Sequence, residues 1–474
     1  MNNYKVSIGI EIHLELKTKS KMFSGAPCLF DSEVNTCCNE IDIAMPGTLP
    51  SVNKEAVKKA IMACNALNLN IDKLLRFDRK NYYYSDLPKG YQITQQSYPI
   101  GKNGNLKLED SNITVGIERI HLEEDTAKQF HLKDHTLIDF NRAGTPLIEL
   151  VSKPDLSNKE QVREYLESLR RIFVYLDISD AKMEEGSMRC DINISLSKDP
   201  NKLGKKVEIK NLNSISNAEK AIEFEIKRQS LLLDDNQLVQ QETRRYNEDT
   251  KETVLMRRKE GTVDYKYFPE PNIVPILLDD AWINSISDEM PILPSVLKNM
   301  FINDYKLDVK EINYLLDNIA FQKYYIDAVD KTYKYSKSIF NYMSSELLSL
   351  LNKKSISIEE TLIKPINLKQ LIIMIDDNTI SNKQSKEVLE LMINGDSPLD
   401  IVEREGLKQN NDSDLIVKLV DEVLKENEQS IIDYKNGKDR ALGFLVGQVM
   451  KKSKGQANPS MASKYVKEAL DAIE

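Results

Sequence analysis

The chain has 474 residues, 41% hydrophobic and 29% charged, the balance of a folded protein with more than one core rather than of a disordered chain. No window approaches the roughly 18 consecutive apolar residues of a membrane span, and with a strand-like pattern in place by Val6 no signal peptide is expected. A formal charge of −9 excludes a global field attractive to nucleic acid, so RNA contact requires a local basic patch; an odd set of cysteines (Cys28, Cys37, Cys38, Cys64, Cys190) fits free thiols in the cytoplasm.

Tyr4 to Leu16 alternates as a strand, with Val6, Ile8, Ile10, Ile12 and Leu14 on one face and Gly9, Glu11, His13 and Glu15 on the other. Same-side residues about 7 Å apart place two carboxylates and an imidazole where they can converge on a cation; a solvated polar face is the simpler alternative. Asn53 is placed to cap a helix with the stripe Ala56, Val57, Ala60, Ile61, Cys64 and Leu67, which makes Cys64 a packed thiol. Lys89 follows Pro88 and precedes Gly90, a turn suited to presenting an ammonium group to phosphate, or an ordinary loop lysine.

A second strand, Ile113 to Leu122, runs into Glu123-Glu124-Asp125, whose repulsion needs a cation, a basic partner or water. Glu123 and Glu124 point oppositely in extended chain, so one of them reaches a given metal. Glu149, within the apolar run Pro146 to Val151, needs a cation or several donors; a buried pair with an arginine such as Arg142 would also satisfy it. Ser157 and Glu160 form a capping box before the stripe Val162, Leu166, Leu169 and Phe173. Arg189, Asp191, Asn193 and Ser195 share one face of a strand, and Cys190, Ile192 and Ile194 the other.

To about residue 290 the pattern is α+β. From Ser295, helical spacing through Leu297, Met300, Phe301, Leu315, Leu316 and Ile319 marks an all-α region; the polar stretch Gly406 to Asp412 then precedes a stripe of Leu415, Ile416, Leu419, Val420, Val423 and Leu424. These breaks predict domains at 1–294, 295–406 and 407–474, the last a small all-α tail. Neither a Walker loop nor a dinucleotide glycine motif is present, so ATP would have to bind through Mg²⁺-bridging carboxylates and scattered cations.

The stretches GIEIHLEL (9–16), FDRKNYYYSDLPKGYQI (77–93), RIHLEEDTAK (119–128), DFNRAGTPLIELVS (139–152), KMEEGSMRCDINIS (182–195), EIKNLNS (208–214), ETRRYNEDT (242–250), DYKYFPEPNIVP (264–275) and FLVGQVMKKSKGQANP (444–459) resemble, in order, the B-subunit family of the aspartyl/glutamyl-tRNA amidotransferases. The resemblance implies a cradle-shaped α+β domain similar to glutamine synthetase, with a mixed or antiparallel sheet, then a helical domain and a small helical tail touching tRNA. The implied reaction is phosphorylation by ATP of the side-chain carboxylate of Glu-tRNA(Gln) or Asp-tRNA(Asn), then amidation by ammonia. Ammonia would come from a partner amidase, the A subunit, with a small C subunit completing a heterotrimer.

Carried over by position, the resemblance makes Glu11, His13, Glu124, Glu149 and Asp191 the Mg²⁺ and phosphate-site set, with Arg189 and Lys89 neutralising the phosphoryl oxygens. Asn39 and Asp42 stand at the CxxC spacing that some members fill with zinc-binding cysteines, so no structural zinc is expected. Tyr246 and Lys266 replace an aromatic Trp or Phe and an Arg common in the family, which leaves the role of Lys266 open. Between Lys435 and Lys467 lie eight basic residues and one acid, Asp439; within this patch Lys451, Lys452 and Lys454 are the expected tRNA contacts, a solubilising helix face being the alternative. Two rival functions share parts of this pattern: a small-molecule carboxylate ligase of the glutamine synthetase type, and a noncatalytic tRNA-binding assembly module.

Overall fold

The computed structural model describes residues 4–258, 264–408, 413–436, 438, 440–453 and 457–473. It divides into two compact units, Met1–Pro294 and Ser295–Glu474.

The first unit is built on a sheet with nine strands among the described residues: β1 (Lys5–Glu15), β2 (Asn70–Ile71), β3 (Gly101–Leu108), β4 (Ile113–Glu124), β5 (Pro146–Ser152), β6 (Met188–Ser197), β7 (Val207–Leu212), β8 (Glu242–Asn247) and β9 (Glu252–Arg258). Their order is β9-β8-β7-β6-β1-β5-β4-β3-β2, antiparallel throughout except for the parallel pair β7 and β8. Strand alternation divides the two faces. Ile8, Ile10, Ile12 and Leu14 of β1 are fully buried, each stabilising the fold by roughly 1.5–3 kcal/mol. They join Ile148, Leu150, Ile192 and Ile194 in one core with the helices α1 (Lys54–Ala66), α2 (Lys159–Tyr175) and α3 (Ile215–Asp234). The other face of the central strands keeps the polar residues.

Asn53 caps α1 as the sequence predicts: its Oδ1 accepts from the backbone N–H of Glu55 and Ala56, while its Nδ2 donates to the carbonyls of Ser20 and Lys21. Cys64 is fully buried on that helix. The cap of α2 lies one residue beyond the predicted Ser157. Asn158 accepts from the N–H of Gln161, and Gln161 Oε1 accepts from the N–H and Oγ of Ser157. Two adjacent cap formers, Ser157 and Asn158, each have an acid or amide three residues on, and the second register prevails.

Asp42 pairs with the buried ammonium of Lys21 at 3.3 Å and accepts from Ser24 Oγ at 2.8 Å. A Cβ at Gly144, whose φ is +82°, would lie 2.7 Å from Asp42 Oδ1, so only glycine lets the chain turn here into β5. A three-stranded sheet of Phe268–Pro269, Asp78–Asn81 and Tyr91–Thr94 is locked by the Arg79 guanidinium, which grips the buried Glu270 at 2.6 and 2.9 Å. Exposed Lys266 contributes backbone to this region, its carbonyl accepting from Asn81 Nδ2 at 2.8 Å.

The second unit is helical. Leu297, Phe301, Leu315 and Leu316 are buried as their spacing predicts. Its last segment has a core from the helices Ser413–Glu426, Arg440–Lys452 and Pro459–Ala472, in which Ile416, Val420, Val423 and Leu424 meet Leu445, Val449, Val466 and Leu470. Leu415, assigned to that stripe from sequence, is instead 45% exposed, because Ile416 and Val420 already define the inward direction. Residues 409–412, most of the polar stretch before this segment, lie outside the described residues. No helix among the described residues is long and apolar enough to cross a membrane.

Replacing Asn53 with alanine removes the cap and both tethers to the 20–21 segment. Urea denaturation is expected to show a loss of about 1–2 kcal/mol, with the native fold retained.

Candidate active site

The polar face of the sheet acquires its chemistry from strand register. Across the central strands, Arg189 on β6 stands opposite His13 on β1, His13 opposite Glu149 on β5, and Glu149 opposite His121 on β4. Directly paired residues point to the same side of a sheet, so residues far apart in sequence converge in one row. Glu123, two residues beyond His121, joins them from the adjacent row.

His13 Nε2 lies 3.4 Å from Glu123 Oε1 and 3.5 Å from Glu149 Oε2, while His121 Nε2 lies 3.4 Å from Glu123 Oε2 and 3.0 Å from Glu149 Oε2. Two imidazoles thus face two carboxylates in a largely buried quartet. Burial works against charge on His121, but Glu149 and Glu123 outweigh it and push its pKa up to about 9. Burial likewise opposes ionisation of Glu149 and Glu123, yet the two histidines hold both below the ordinary carboxylate value.

His13, Glu123 and Glu149 each offer a donor atom within 4.8 Å of the others, a nitrogen-and-oxygen set that fits a divalent cation. A second set, Glu11, Asp191 and Glu208, meets the same criterion on the neighbouring strands. Here Asn193 Nδ2 donates to Glu11 at 2.8 Å, and the Lys210 ammonium bridges Asp191 and Glu208. Burial disfavours charge on Lys210, but Asp191 and then Glu208 raise its pKa above the ordinary value. Beside these groups opens a cleft of about 590 Å³ lined by His13, Lys80, Glu123, Arg189, Asp191 and Lys210, among others.

The structure brings together Glu11, His13, Glu149, Asp191 and Arg189 of the predicted set. Arg189 lines the cleft and donates to Asp125 at 2.6 Å. Glu124 and Lys89 are placed differently. Glu124 has the strand parity of Ile120 and Leu122, so its carboxylate turns away from His13 and meets the Lys89 ammonium at 2.5 Å and the N–H of Ile93 at 2.9 Å. Glu123 takes the position beside His13 that sequence reasoning gave to Glu124. Arg142, considered as a partner for Glu149, faces Asp125 at 3.5 Å.

His121, Glu208, Lys210 and Lys80 escaped the sequence reading, and Glu123, singled out there beside Glu124, was passed over for it in the carried-over site set. His121 and Glu123 were visible as same-parity residues on one strand, and Glu208 and Lys210 as the polar alternates of Val207 and Ile209. Glu15, on the same face, has its pKa pushed up to about 7 by burial and by the charge of Asp125, against the opposing pull of Arg189 and Arg142.

In the tail, Lys451 is exposed at the end of its helix, whereas Lys452 is held by Glu422 at 2.8 Å and Glu426 at 2.7 Å. Lys438 pairs with Asp433, and Lys454 lies outside the described residues. Arg440, Lys451 and Lys467 are exposed with no ion pair among the described residues.

This combination defines a class: a catalytic domain of the GatB/GatE type, which matches residues 6–284, joined to a helical GatB domain, which matches residues 324–470. The proteins named as the B subunit of aspartyl/glutamyl-tRNA(Asn/Gln) amidotransferase in Oceanobacillus iheyensis, Bacillus velezensis and Lysinibacillus sphaericus are 46%, 46% and 44% identical to it, each over 99% of both chains. The chain belongs to this family, the B subunits of the aspartyl/glutamyl-tRNA(Asn/Gln) amidotransferases.

Glu123→Gln is expected to weaken Mn²⁺ binding, read by electron paramagnetic resonance, by about tenfold or more. Glu124→Gln, on the opposite side of the strand, should leave that affinity unchanged.

Proposed function

We propose that the acid-and-histidine face activates the side-chain carboxylate of glutamate or aspartate carried by a misacylated tRNA, and that ammonia then converts it to the amide. Family membership makes the chain one component of a tRNA-dependent amidotransferase, a glutamine-hydrolysing ligase. The observation that carries the mechanistic reading is a pair of three-residue sets whose donor atoms lie close enough to hold a cation, side by side on one sheet face and edged by Lys80, Arg189 and Lys210.

A carboxylate oxygen of the substrate bonds to the γ-phosphorus of ATP as the bridging P–O bond breaks, giving ADP and an acyl phosphate. The nitrogen lone pair of ammonia attacks the acyl carbon, phosphate leaves with its bonding electrons, and the nitrogen gives up a proton. Phosphorylation is needed because oxide is not a viable leaving group from a carboxylate. His13, Glu123 and Glu149 would hold one Mg²⁺, and Glu11, Asp191 and Glu208 a second, ions that supply neutralisation of phosphate charge. Lys80 and Arg189 line the cleft where phosphoryl oxygens would lie, the Arg189 guanidinium being shared with Asp125. Lys89, its charge engaged by Glu124, instead ties the 85–90 turn to the end of β4.

The first unit serves in this reading as a glutamine synthetase-like cradle, and the tail from residue 407 as a tRNA-binding domain. Ammonia arrives from an amidase, the A subunit, with a small C subunit completing a cytoplasmic heterotrimer. Within the basic patch, Arg440, Lys451 and Lys467 are exposed without an ion pair among the described residues and suit contact with phosphates, whereas Lys452 is bound to the helix beside it.

Glu149→Ala is expected to lower tRNA-dependent ATP cleavage about 100-fold with an unchanged circular dichroism spectrum; full activity in the folded variant would remove Glu149 from the centre. Lys451→Glu should weaken tRNA binding and reduce the slope of log affinity against log salt by about 0.9, while glutamine hydrolysis persists. Lys452→Glu should change that slope less.

A further inference from the structure

The polar sheet face does not end at Lys210. Lys210 on β7 stands opposite Arg245 on β8, and Arg245 opposite Val254 on the edge strand β9. In the adjacent row Glu208 stands opposite Thr243, and Thr243 opposite Arg257, with Thr243 Oγ1 donating to Glu208 at 2.7 Å. A register shift after Thr243 leaves Met256 unpaired, which turns Arg257 onto this face. The opposite parity is accounted for by packing: Arg244 and Glu242 join Glu225 and Arg228 beneath the sheet, and Tyr246 is buried with the helices. Arg245 and Arg257 are exposed, and no described residue offers either a carboxylate.

One continuous face therefore runs from the carboxylate-rich centre, through Lys210, to two exposed arginines at the sheet edge. We infer that Arg245 and Arg257 bind backbone phosphates of the single-stranded 3′ end of the aminoacyl-tRNA and guide its terminal ester toward the centre. This rests on the carboxylate-activation reading above. The reacting carboxylate belongs to an amino acid esterified to the last ribose, so the nucleotides before it must cross the protein surface beside the site. Arg245 lies four strand spacings from Glu149, roughly 19 Å, and Arg257 five, roughly 24 Å, a reach that a few unpaired nucleotides cover. Guanidinium groups suit phosphate oxygens through paired N–H donors. Contact with phosphates rather than base edges also fits a subsite that need not read sequence.

The test uses the assembled amidotransferase with Arg245→Gln, Arg257→Gln and the double variant. Each single change is expected to raise the KM for misacylated tRNA about tenfold, with kcat at saturating tRNA, the KM for ATP and glutamine hydrolysis unchanged. Binding of tRNA shortened by its 3′-terminal nucleotides should be equally strong for wild type and variants, because the lost contact is on the missing segment. An unchanged KM in the double variant overturns the inference while leaving the activation chemistry intact. A KM increase that persists in full with shortened tRNA overturns it by placing the contact elsewhere on the RNA. Loss of the partner chains on purification, with tRNA affinity unaltered, overturns it by assigning the edge to a protein interface. Failure of the activation reading would appear differently, as wild-type enzyme that forms no acyl phosphate.

Discussion

The antiparallel register that sets His13 opposite Glu149 is the constraint on which the site depends. Side chains alternate across a strand, so a slip of one residue would send His13 and Glu11 into the core and Ile12 into the cleft. The register is held from below, where Ile8, Ile10, Ile12 and Leu14 are sealed against helices, and from both sides, where β5 and β6 pair with β1. The hydrophobic face thereby fixes the geometry of the polar one. Apolar burial, which carries no chemical specificity itself, brings acids from five strands into two compact groups.

Electrostatics explains why those groups are tolerated. Two carboxylates near each other in a largely buried setting repel and lose hydration, and here each is met by two imidazoles at 3.0 to 3.5 Å. The second set is balanced by Lys210 and by the amide of Asn193. Outside the cleft the same logic forms closed networks, such as Glu225 with Arg228 and Arg244, in which every charge is answered locally. The two kinds of cluster differ in their surroundings: the closed networks brace helix against sheet, whereas the acids of the cleft border open volume.

Much of this was legible in the sequence because it depends on local periodicity. The polar face of β1, the alternation of Arg189 and Asp191, the cap at Asn53 and the buried stripe of α1 follow from spacing alone, and the ordered motifs led to the family. The choice between Glu123 and Glu124 was decidable in principle: Glu124 shares parity with the apolar Ile120 and Leu122, and Glu123 with His121. What sequence could not provide was lateral order. That β4 lies beside β5, so that His121 faces Glu149, is a fact of topology, and so is the placement of Glu208 beside Asp191 across β6 and β7. The tail shows the same limit, since a window rich in lysine gave no sign that Glu422 and Glu426 from another helix hold Lys452.

The most direct test of the central claim, that strand register gathers His13, Glu123 and Glu149 into one cation site, is anomalous diffraction from crystals soaked in Mn²⁺. The account predicts a peak bounded by those three side chains and a second near Glu11, Asp191 and Glu208. A peak at Glu124 with none beside His13, or strong density only at exposed carboxylates elsewhere, would contradict it.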